Sequence, residues 1–391
     1  MAEEVWMLQT KKADFKQIGA RFRIDPVTAR IIRNRGIEGE AAIDRYLNGT
    51  LDDLYDPMLL KDMERAVSIL CEAVDTGKKI RIVGDYDIDG VCSTYILLQA
   101  FERLGSDVDF EIPDRIKDGY GINESIIEQA LADGVEVILT CDNGISAFHQ
   151  VELAKKYGMT VVITDHHEVP LDGEKEKIPP ADAVIDPKQA DCPYPFPEIC
   201  GAVVAYKLVQ VLYARRGVPQ MEWLDLLEFA AIATVGDVMK LQDENRILVK
   251  YGLKKMAQTK NLGLRRLAEK NNLDLGAITA YHIGFVIGPC LNAGGRLKTA
   301  KEALALLRAQ SEEEAERLAE ELKELNDTRK DMTEQGTEAA KLQVESWYQK
   351  DKVLVVFLPE CHESLAGIIA GRLREYYQKP AIVLTRGEEA V

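Results

Sequence analysis

Short apolar runs separated by helix-length stretches recur through the middle of this chain. Runs of mostly valine, isoleucine and leucine occupy residues 80–83, 135–140 and 160–164, and stretches long enough for helices, residues 91–104 and 145–157, follow the first two. Strands that alternate with helices in this way form parallel sheets, because each helix returns the chain to the same end of the sheet. The pattern therefore predicts an α/β fold with a parallel sheet.

The segments around this sheet predict the rest of the organisation. Residues 1–78 have a helical pattern, and residues 175–197, rich in proline and charge, are expected to form a surface excursion. A long charged helix begins after a Ser311 cap, and the strand–helix–strand pattern of residues 352–385 predicts the start of a second, smaller α/β domain. The expected regions are 1–78, 79–240, 241–310, 311–347 and 348–391.

Acidic residues follow the apolar runs. They are Asp85, Asp87 and Asp89 after the first run, Asp142 after the second, the acid–histidine segment containing His166 after the third, and Asp237 after a later apolar segment. The carboxyl ends of parallel strands lie at one edge of the sheet, where open α/β folds place their ligands. These side chains are therefore expected to converge, although they lie far apart in the sequence.

Several carboxylates brought together repel one another unless a cation binds among them. Carboxylate oxygens with one or two imidazoles suit Mg²⁺ or Mn²⁺, whereas zinc sites usually draw on cysteine and histidine. Two such ions about 3.5–4 Å apart clamp both oxygens of a phosphoryl displacement. The pattern thus predicts phosphoester hydrolysis, with Mn²⁺ favoured by the histidine. For the first acidic run taken alone, a solvated loop is the alternative.

Further motifs point to a family. In chain order they are residues 37–46 with Asp56-Pro57, 84–90, 112–115 with 119–121, Asp165-His166-His167, Gly236-Asp237 and 288–296. With these motifs the chain resembles the DHH phosphoesterase superfamily, and over nearly all of its length it resembles the RecJ branch of single-strand-specific DNA exonucleases. Many members carry arginine where Cys290 stands, a departure that affects one expected phosphate contact.

The resemblance implies a parallel-sheet DHH phosphoesterase domain in residues 79–240, a helical extension carrying the 288–297 loop, a connecting helix and an incomplete second α/β domain. Members of the family continue this second domain with a segment that grips nucleic acid across the cleft. The chain is therefore expected to be truncated at its C-terminus, with its metal ligands intact and its substrate clamp incomplete.

The resemblance also implies roles for the metal-site residues. The implied ligands of two ions, Mn²⁺ or Mg²⁺, are Asp87, Asp89, Asp142, His166 and Asp237, and the catalytic set is Asp85, Asp142 and His167. Asp142 is expected to bridge both ions, and Asp85 to be a ligand or to hold a water. His167 is the candidate that orients or protonates the leaving group, since histidine titrates near neutrality, or else it only supports its neighbours.

Substrate contacts are expected on the other side of the cleft. The candidates are Arg115, Tyr120, Asn292, Arg296 and His362. A guanidinium can meet phosphate oxygens bidentately, which favours the two arginines. Tyr120 is expected either to stack a base or to be a buried tyrosine. His362 matches a stretch that faces the cleft in the family.

Composition narrows the choice of function. A formal net charge of −16 is unusual for a DNA-binding protein, but binding needs only a local basic groove. Seven cysteines without CxxC spacing indicate reduced thiols, and thiol catalysis is not favoured because no cysteine lies among bases. No apolar stretch is long enough to span a membrane, so no membrane contact and a cytoplasmic location are expected.

Three functions remain open at the level of sequence. The first is a 5′-to-3′ exonuclease on single-stranded DNA that releases nucleoside 5′-monophosphates in DNA repair and recombination. The second is a phosphoesterase of the same fold acting on short oligonucleotides, cyclic dinucleotides or pyrophosphate, and the third is a non-catalytic scaffold. The helical entry and the 288–297 segment favour the first, for which the resemblance implies single-stranded DNA, a single-strand-binding protein and a helicase as partners of a monomer.

Overall fold

A five-stranded parallel sheet forms the centre of the protein, as seen in a computed structural model that describes residues 5–9 and 11–387. Its strand order is β2-β1-β3-β4-β7. The strands of the chain are β1 (Ile80–Val83), β2 (Val108–Glu111), β3 (Val137–Cys141), β4 (Thr160–Thr164), β5 (Leu171–Asp172), β6 (Lys175–Glu176), β7 (Ala183–Ile185), β8 (Leu354–Phe357) and β9 (Ala381–Leu384). The predicted α/β class with a parallel sheet is confirmed.

Helices surround the sheet and make up most of the remaining structure. They are α1 (Phe15–Phe22), α2 (Pro26–Asn34), α3 (Glu40–Asn48), α4 (Met63–Thr76), α5 (Ile88–Arg103), α6 (Glu124–Ala132), α7 (Phe148–Lys156), α8 (Gly201–Arg216), α9 (Gln220–Leu224), α10 (Leu227–Gly236), α11 (Asp243–Met256), α12 (Leu262–Lys270), α13 (Ala280–His282), α14 (Gly288–Leu297), α15 (Lys301–Arg308), α16 (Glu312–Gln343) and α17 (Glu363–Tyr377). A π-helical turn, Ile283–Ile287, joins α13 to α14.

The three central strands, β1, β3 and β4, are fully or almost fully buried, which explains their continuous apolar sequence. Alternate side chains enter two cores: Ile82 and Leu139 pack under α5 and α8, while Val83 and Ile138 pack under α6 and α7. Helices therefore cover both faces of the sheet, and its carboxyl edge is left for side chains that bind ligands.

Two edge strands depart from the sequence prediction. β2 was not predicted, because its sequence Val-Asp-Phe-Glu is half polar and its residues are only partly buried. The expectation that residues 175–197 form a surface excursion is wrong in part, since they contain β7, which is buried and pairs with β4. Three residues are too few to show a strand period, and the pairing with β4 decides their conformation.

A second, smaller α/β unit follows the long helix α16. Parallel strands β8 and β9 pack with α17 around Leu354, Val356 and Ile369. α16 has 32 residues, and at about 1.5 Å per residue it is long enough to reach from the first unit to the second. None of the helices in the described part of the chain is both long and apolar enough to cross a bilayer.

Candidate metal centre and phosphate pocket

The acidic residues lie at strand and helix ends that meet at the carboxyl edge of the sheet. Asp85 and Asp87 follow β1, Asp142 follows β3, His166 follows β4, and Asp237 follows α10. The close packing of the turn after β1 against α5 requires glycine at two positions. A Cβ on residue 84 would lie 2.0 Å from Oγ1 of Thr94, and one on residue 90 would lie 2.4 Å from the carbonyl oxygen of Asp85.

Seven side chains form three overlapping groups at this edge. Within each group the ligand atoms lie within 4.8 Å of one another, and the groups are Asp85–Asp87–Asp142, Asp142–His166–His167 and Asp89–His166–Asp237. Asp142 and His166 belong to two groups each. The structure thus brings together all the residues that the sequence analysis assigned to metal binding and catalysis.

Asp142 occupies the centre of this arrangement. Its φ of 61° is a left-handed conformation, which aspartate tolerates better than most residues. Its Oδ1 lies 3.0 Å from Nε2 of His166, yet this oxygen makes no hydrogen bond with any described residue. Oδ1 of Asp142 and Nε2 of His166 therefore face each other without a hydrogen bond, an arrangement that suits two ligands of one cation.

Two of the carboxylates also hold helix N-termini. Oδ1 of Asp87 accepts hydrogen bonds from the amides of Asp89 and Gly90 at the start of α5. The two oxygens of Asp89 accept from the amides of Gly201 and Ala202, at 2.7 and 2.8 Å, at the start of α8. Helix N-termini favour negative charge, so the amide contacts favour the carboxylate form of Asp87, and those of α8 fix the position of Asp89 next to the site.

Burial and mutual repulsion oppose ionisation of the carboxyls in this cluster. Burial, reinforced by neighbouring carboxylates, raises the pKa of Asp85 and of Asp237 to about 7 and raises that of Asp142 well above its usual value. The pKa of Asp87 is also raised, because burial and the charge of a neighbouring carboxylate outweigh its two amide bonds. A divalent cation removes this penalty by supplying the opposite charge. Carboxylate oxygens with one imidazole nitrogen are a donor set that suits Mn²⁺ or Mg²⁺.

His167 is held by a residue that the sequence analysis assigned no role. Its Nδ1 lies 2.7 Å from Oδ1 of the buried Asp165, and the hydroxyl of Tyr120 lies 3.1 Å from the same nitrogen. Burial favours the neutral ring, but the bond to Asp165 outweighs it and raises the pKa of His167 to about 9. The sequence signal that could have indicated this role is the position of Asp165 as the first residue of the Asp-His-His run.

A basic pocket adjoins the metal centre. Arg115 lies over the ring of Tyr86, 4.8 Å from its centroid, and Nη1 of Arg296 donates to the carbonyl oxygen of Ser364 at 3.1 Å. Among the described residues, neither guanidinium has a carboxylate partner within 4.0 Å. The two arginines line a cavity of about 560 Å³ together with Ile116, Glu363, Ser364, Gly367 and Ile368.

The other predicted substrate contacts are more dispersed. His362 lines a smaller cavity with Arg115 and Arg296, and its Nδ1 lies 2.8 Å from Oγ of Ser364. Tyr120 is half exposed, and its hydroxyl donates to the carbonyl oxygen of Asp142 at 2.7 Å. Asn292 lies in α14, outside both cavities that contain the two arginines.

Three contributors were not identified from sequence. Ser364 and Tyr86 reach the pocket only because distant segments pack together. Gly201 allows close approach, since a Cβ there would lie 2.7 Å from Cβ of Asp142. No local pattern marks these residues, because each owes its position to a contact with another element.

Comparisons with known proteins agree with this geometry. The model of the DHH family, N-terminal domain, matches residues 79–234. The single-stranded-DNA-specific exonuclease RecJ of Bacillus subtilis is 36% identical over 385 residues, which cover 98% of this chain and 48% of that protein. This chain thus spans about half the length of that relative.

Solved structures give the same match. A crystal structure of exonuclease RecJ bound to manganese is 33% identical, with a TM-score of 0.74, covering 83% of this chain and 80% of that one. RecJ from Thermus thermophilus in complex with Mn²⁺ is 30% identical, with a TM-score of 0.79, covering 95% of this chain and 52% of that one.

Proposed function

Because this chain belongs to the RecJ branch of the DHH family, we propose that it is a metal-dependent exonuclease that degrades single-stranded DNA from the 5′ end. It releases nucleoside 5′-monophosphates and acts in DNA repair and recombination. The observation that supports this best is the pairing of a carboxylate–histidine centre with an adjoining pocket of unpaired arginines. A centre of this kind hydrolyses phosphodiesters, and the pocket offers a place for a terminal phosphate.

The residues that would hold two divalent cations are Asp85, Asp87, Asp89, Asp142, His166 and Asp237. Asp142, which belongs to two of the groups, is the proposed bridge. Mn²⁺ is favoured by the imidazole, and Mg²⁺ suits the carboxylates. When bound, such ions lower the pKa of a water and neutralise charge that develops on the phosphate oxygens.

The arginines position the strand. Arg115 and Arg296 present two guanidiniums on one side of the pocket, where they can bind a terminal phosphate through charge-assisted hydrogen bonds. The backbone carbonyl of Tyr86, between two proposed metal ligands, lies against Gly295 beside Arg296. A phosphate bound there is therefore held close to the metal centre, which aligns the neighbouring phosphodiester for cleavage.

His167 supplies the proton for the leaving group in this proposal. Asp165 lies 2.7 Å from Nδ1 and orients the ring, so a proton on Nε2 can pass to the departing 3′ oxygen. Tyr120 limits rotation of the ring through its hydroxyl. The role of Asp165 is to position His167 rather than to contact the strand.

An end-labelling assay with Mn²⁺ tests the proposal. The substrates are single-stranded DNA with a 5′-phosphate or a 5′-hydroxyl, blunt duplex DNA, a dinucleotide and pyrophosphate. We expect mononucleotide release from 5′-phosphorylated single strands, with Arg296→Gln lowering kcat/KM roughly tenfold or more and removing the preference for the phosphate. Arg374→Gln, on the exposed face of α17, is the matched control.

Shortening from the 3′ end, or equal cleavage of blunt duplex, would contradict the proposal. Efficient hydrolysis of only the dinucleotide or pyrophosphate would instead assign the chain to the small-substrate phosphoesterases of the same fold. Inactivity on every substrate with bound Mn²⁺ would favour a scaffold.

The proposal extends to cellular context. We propose that the protein is a cytoplasmic monomer and works with a helicase and a single-strand-binding protein, because an enzyme that rejects duplex DNA needs its strand separated and kept single. Analytical ultracentrifugation and pull-down with each partner test these assignments.

A further inference from the structure

Four arginines without carboxylate partners lie where α14, α16 and α17 meet and in the cavity beside them, and we call this region the groove. Within the described part of the chain, Arg115, Arg296, Arg329 and Arg372 have no acidic oxygen within 4.0 Å, whereas many other arginines, such as Arg308 with Glu102, are paired. The chain has 65 acidic and 49 basic residues, so four neighbouring guanidiniums that all lack an acidic partner stand out. A group of like charges without partners is suited to bind an anion.

The four side chains act on one another. Burial, together with the charges of Arg115 and Arg329, lowers the pKa of Arg296. Burial and the charge of Arg372 lower the pKa of Arg329. The four arginines therefore form one row, because Arg115 and Arg296 line one cavity and Arg329 and Arg372 lie on helices that pack against α14 and against each other.

Helix geometry orders this row. On α17, Ser364, Ile368 and Arg372 recur every four residues and so share one face, and Arg296 contacts the first of them. α16 packs against α17 at Gly336, where a Cβ would lie 2.5 Å from Ile369. Arg329 precedes Gly336 by two helical turns, and its Nε donates to the buried Asn326 at 3.1 Å. The row thus continues from the cavity lined by Arg115 and Arg296 towards Arg329 and Arg372.

The cavity at the start of the row is larger than one phosphate requires. Its volume of about 560 Å³ falls in the range of about 300–1,000 Å³ typical of pockets for whole ligands. Its lining contains no aromatic side chain on which a second base could stack, and Glu363, its one carboxylate, pairs with neither arginine. Several closely spaced anionic groups match this lining better than another nucleotide does.

We propose that this groove is a polyphosphate subsite, so that the protein accepts single strands whose 5′ end carries a triphosphate. Arg115 and Arg296 bind the phosphate nearest the sugar, and Arg329 and Arg372 bind the phosphates beyond it. The inference rests on the proposed exonuclease function and adds a class of substrate to it. Such ends arise where a polymerase begins a strand without a primer.

The first cleavage then has a distinctive product. Water attacks the phosphorus of the first phosphodiester, the bond from that phosphorus to the 3′ oxygen of the first nucleoside breaks, and this oxygen takes up a proton. The first nucleotide leaves as a nucleoside 5′-triphosphate, and the shortened strand carries an ordinary 5′-monophosphate. All later products are nucleoside 5′-monophosphates.

Binding without divalent metal tests the subsite separately from catalysis. Oligonucleotides of one sequence, with a 3′ fluorophore and a 5′-triphosphate, 5′-monophosphate or 5′-hydroxyl, are titrated in EDTA and followed by fluorescence anisotropy. We expect the triphosphate to bind roughly tenfold more tightly than the monophosphate. Arg329→Gln and Arg372→Gln should each remove most of that difference and leave monophosphate binding unchanged, whereas Arg374→Gln should change neither.

Product analysis with Mn²⁺ completes the test. Ion-exchange chromatography should identify the first product from the triphosphate strand as a nucleoside triphosphate. Triphosphate binding no tighter than monophosphate binding, or release of dinucleotides from monophosphate strands, would overturn the inference. If neither strand is degraded while the binding difference and its loss in the variants persist, the exonuclease proposal fails and the subsite stands.

Discussion

At the scale of single residues, Asp142 combines an unusual backbone conformation with a central place in the metal centre. A φ of 61° is less favourable in conformational free energy for alanine than for asparagine or aspartate, because a short polar side chain tolerates the left-handed region. Its carboxylate is buried beside Asp87 and Asp89, whose charges disfavour its own. The residue is therefore expected to serve metal binding at the expense of stability.

The substitution Asp142→Asn separates these two effects. We expect it to reduce turnover with Mn²⁺ by at least about a hundredfold, because one ligand oxygen and its charge are lost, while keeping the backbone conformation. In EDTA the variant should melt at the same temperature as the wild type or higher, because repulsion is relieved. Asp142→Ala should be equally inactive but less stable than Asp142→Asn by about 1 kcal/mol.

Near-normal turnover of either variant with saturating Mn²⁺ would show that the metal assignment is wrong. Isothermal titration with Mn²⁺ provides the independent readout, since loss of binding identifies the cause of inactivity.

Glu228 is a buried carboxyl away from the metal centre, and it makes the stability of the fold depend on pH. Its Oε1 accepts from Oγ1 of Thr259 at 2.6 Å, and burial raises its pKa from 4.5 to about 7. The folded protein thus holds this proton more tightly than the unfolded chain does. The resulting destabilisation is absent below the unfolded value and complete above about pH 7.

We expect Glu228→Gln to stabilise the protein relative to wild type by up to about 3 kcal/mol more at pH 8 than at pH 4.5. Urea unfolding at both pH values measures the difference, and Glu324→Gln on the exposed surface of α16 is the control. A stability difference independent of pH would mean that Glu228 ionises normally in the folded protein.

At the scale of elements, the N-terminus of α8 supports the metal centre. Its first two amides hold Asp89, and Gly201 lets the helix approach Asp142 closely. The sequence predicts no such role for α8, because its start follows a proline-rich segment and carries no acidic residue. The position of this helix, rather than its composition, places it in the site.

We expect Gly201→Ala to lower Mn²⁺ affinity at least about tenfold, because a Cβ 2.7 Å from Cβ of Asp142 must displace either the helix or the ligand. The cost in stability should be about 1–3 kcal/mol, as for other overpacked sites. Gly217→Ala, at the far end of the same helix, has open space but a φ of 68°. It should lower stability while leaving Mn²⁺ affinity unchanged, and equal effects of both variants on Mn²⁺ binding would argue against the close approach.

At the scale of the whole molecule, the metal centre and most of the arginine row belong to different parts of the chain. All proposed metal ligands lie between residues 85 and 237, whereas Arg329, Arg372 and Ser364 come from α16 and α17. The predicted region boundaries stay a prediction. The described contacts do show that the second unit reaches the pocket, through Arg296 and Ser364.

This division predicts separable properties. We expect residues 1–391 taken alone to bind Mn²⁺ as tightly as the Bacillus subtilis relative, of which they match about half, but to bind single-stranded DNA more weakly and with a smaller dependence on salt. Each phosphate contact contributes about 0.7 to the salt slope on a single strand, so contacts made by the other half of the relative appear directly in the difference between the two slopes. Calorimetry with Mn²⁺ and anisotropy across a salt series measure both. Equal affinities and slopes would show that the matched region holds the strand by itself.

The sequence by itself determined the α/β class, the strands at the centre of the sheet and the acidic and histidine residues that converge at its carboxyl edge. These features are local: a fully buried strand must be continuously apolar, and an acid directly after it must lie at the carboxyl edge of the sheet. The tertiary structure alone decided that Ala183–Ile185 completes the sheet, that the amides of α8 hold Asp89, and that Arg296 contacts Ser364 at the start of α17. These features depend on how separate elements pack, because a short edge strand, a helix N-terminus or a single arginine carries no pattern of its own that specifies its distant partner.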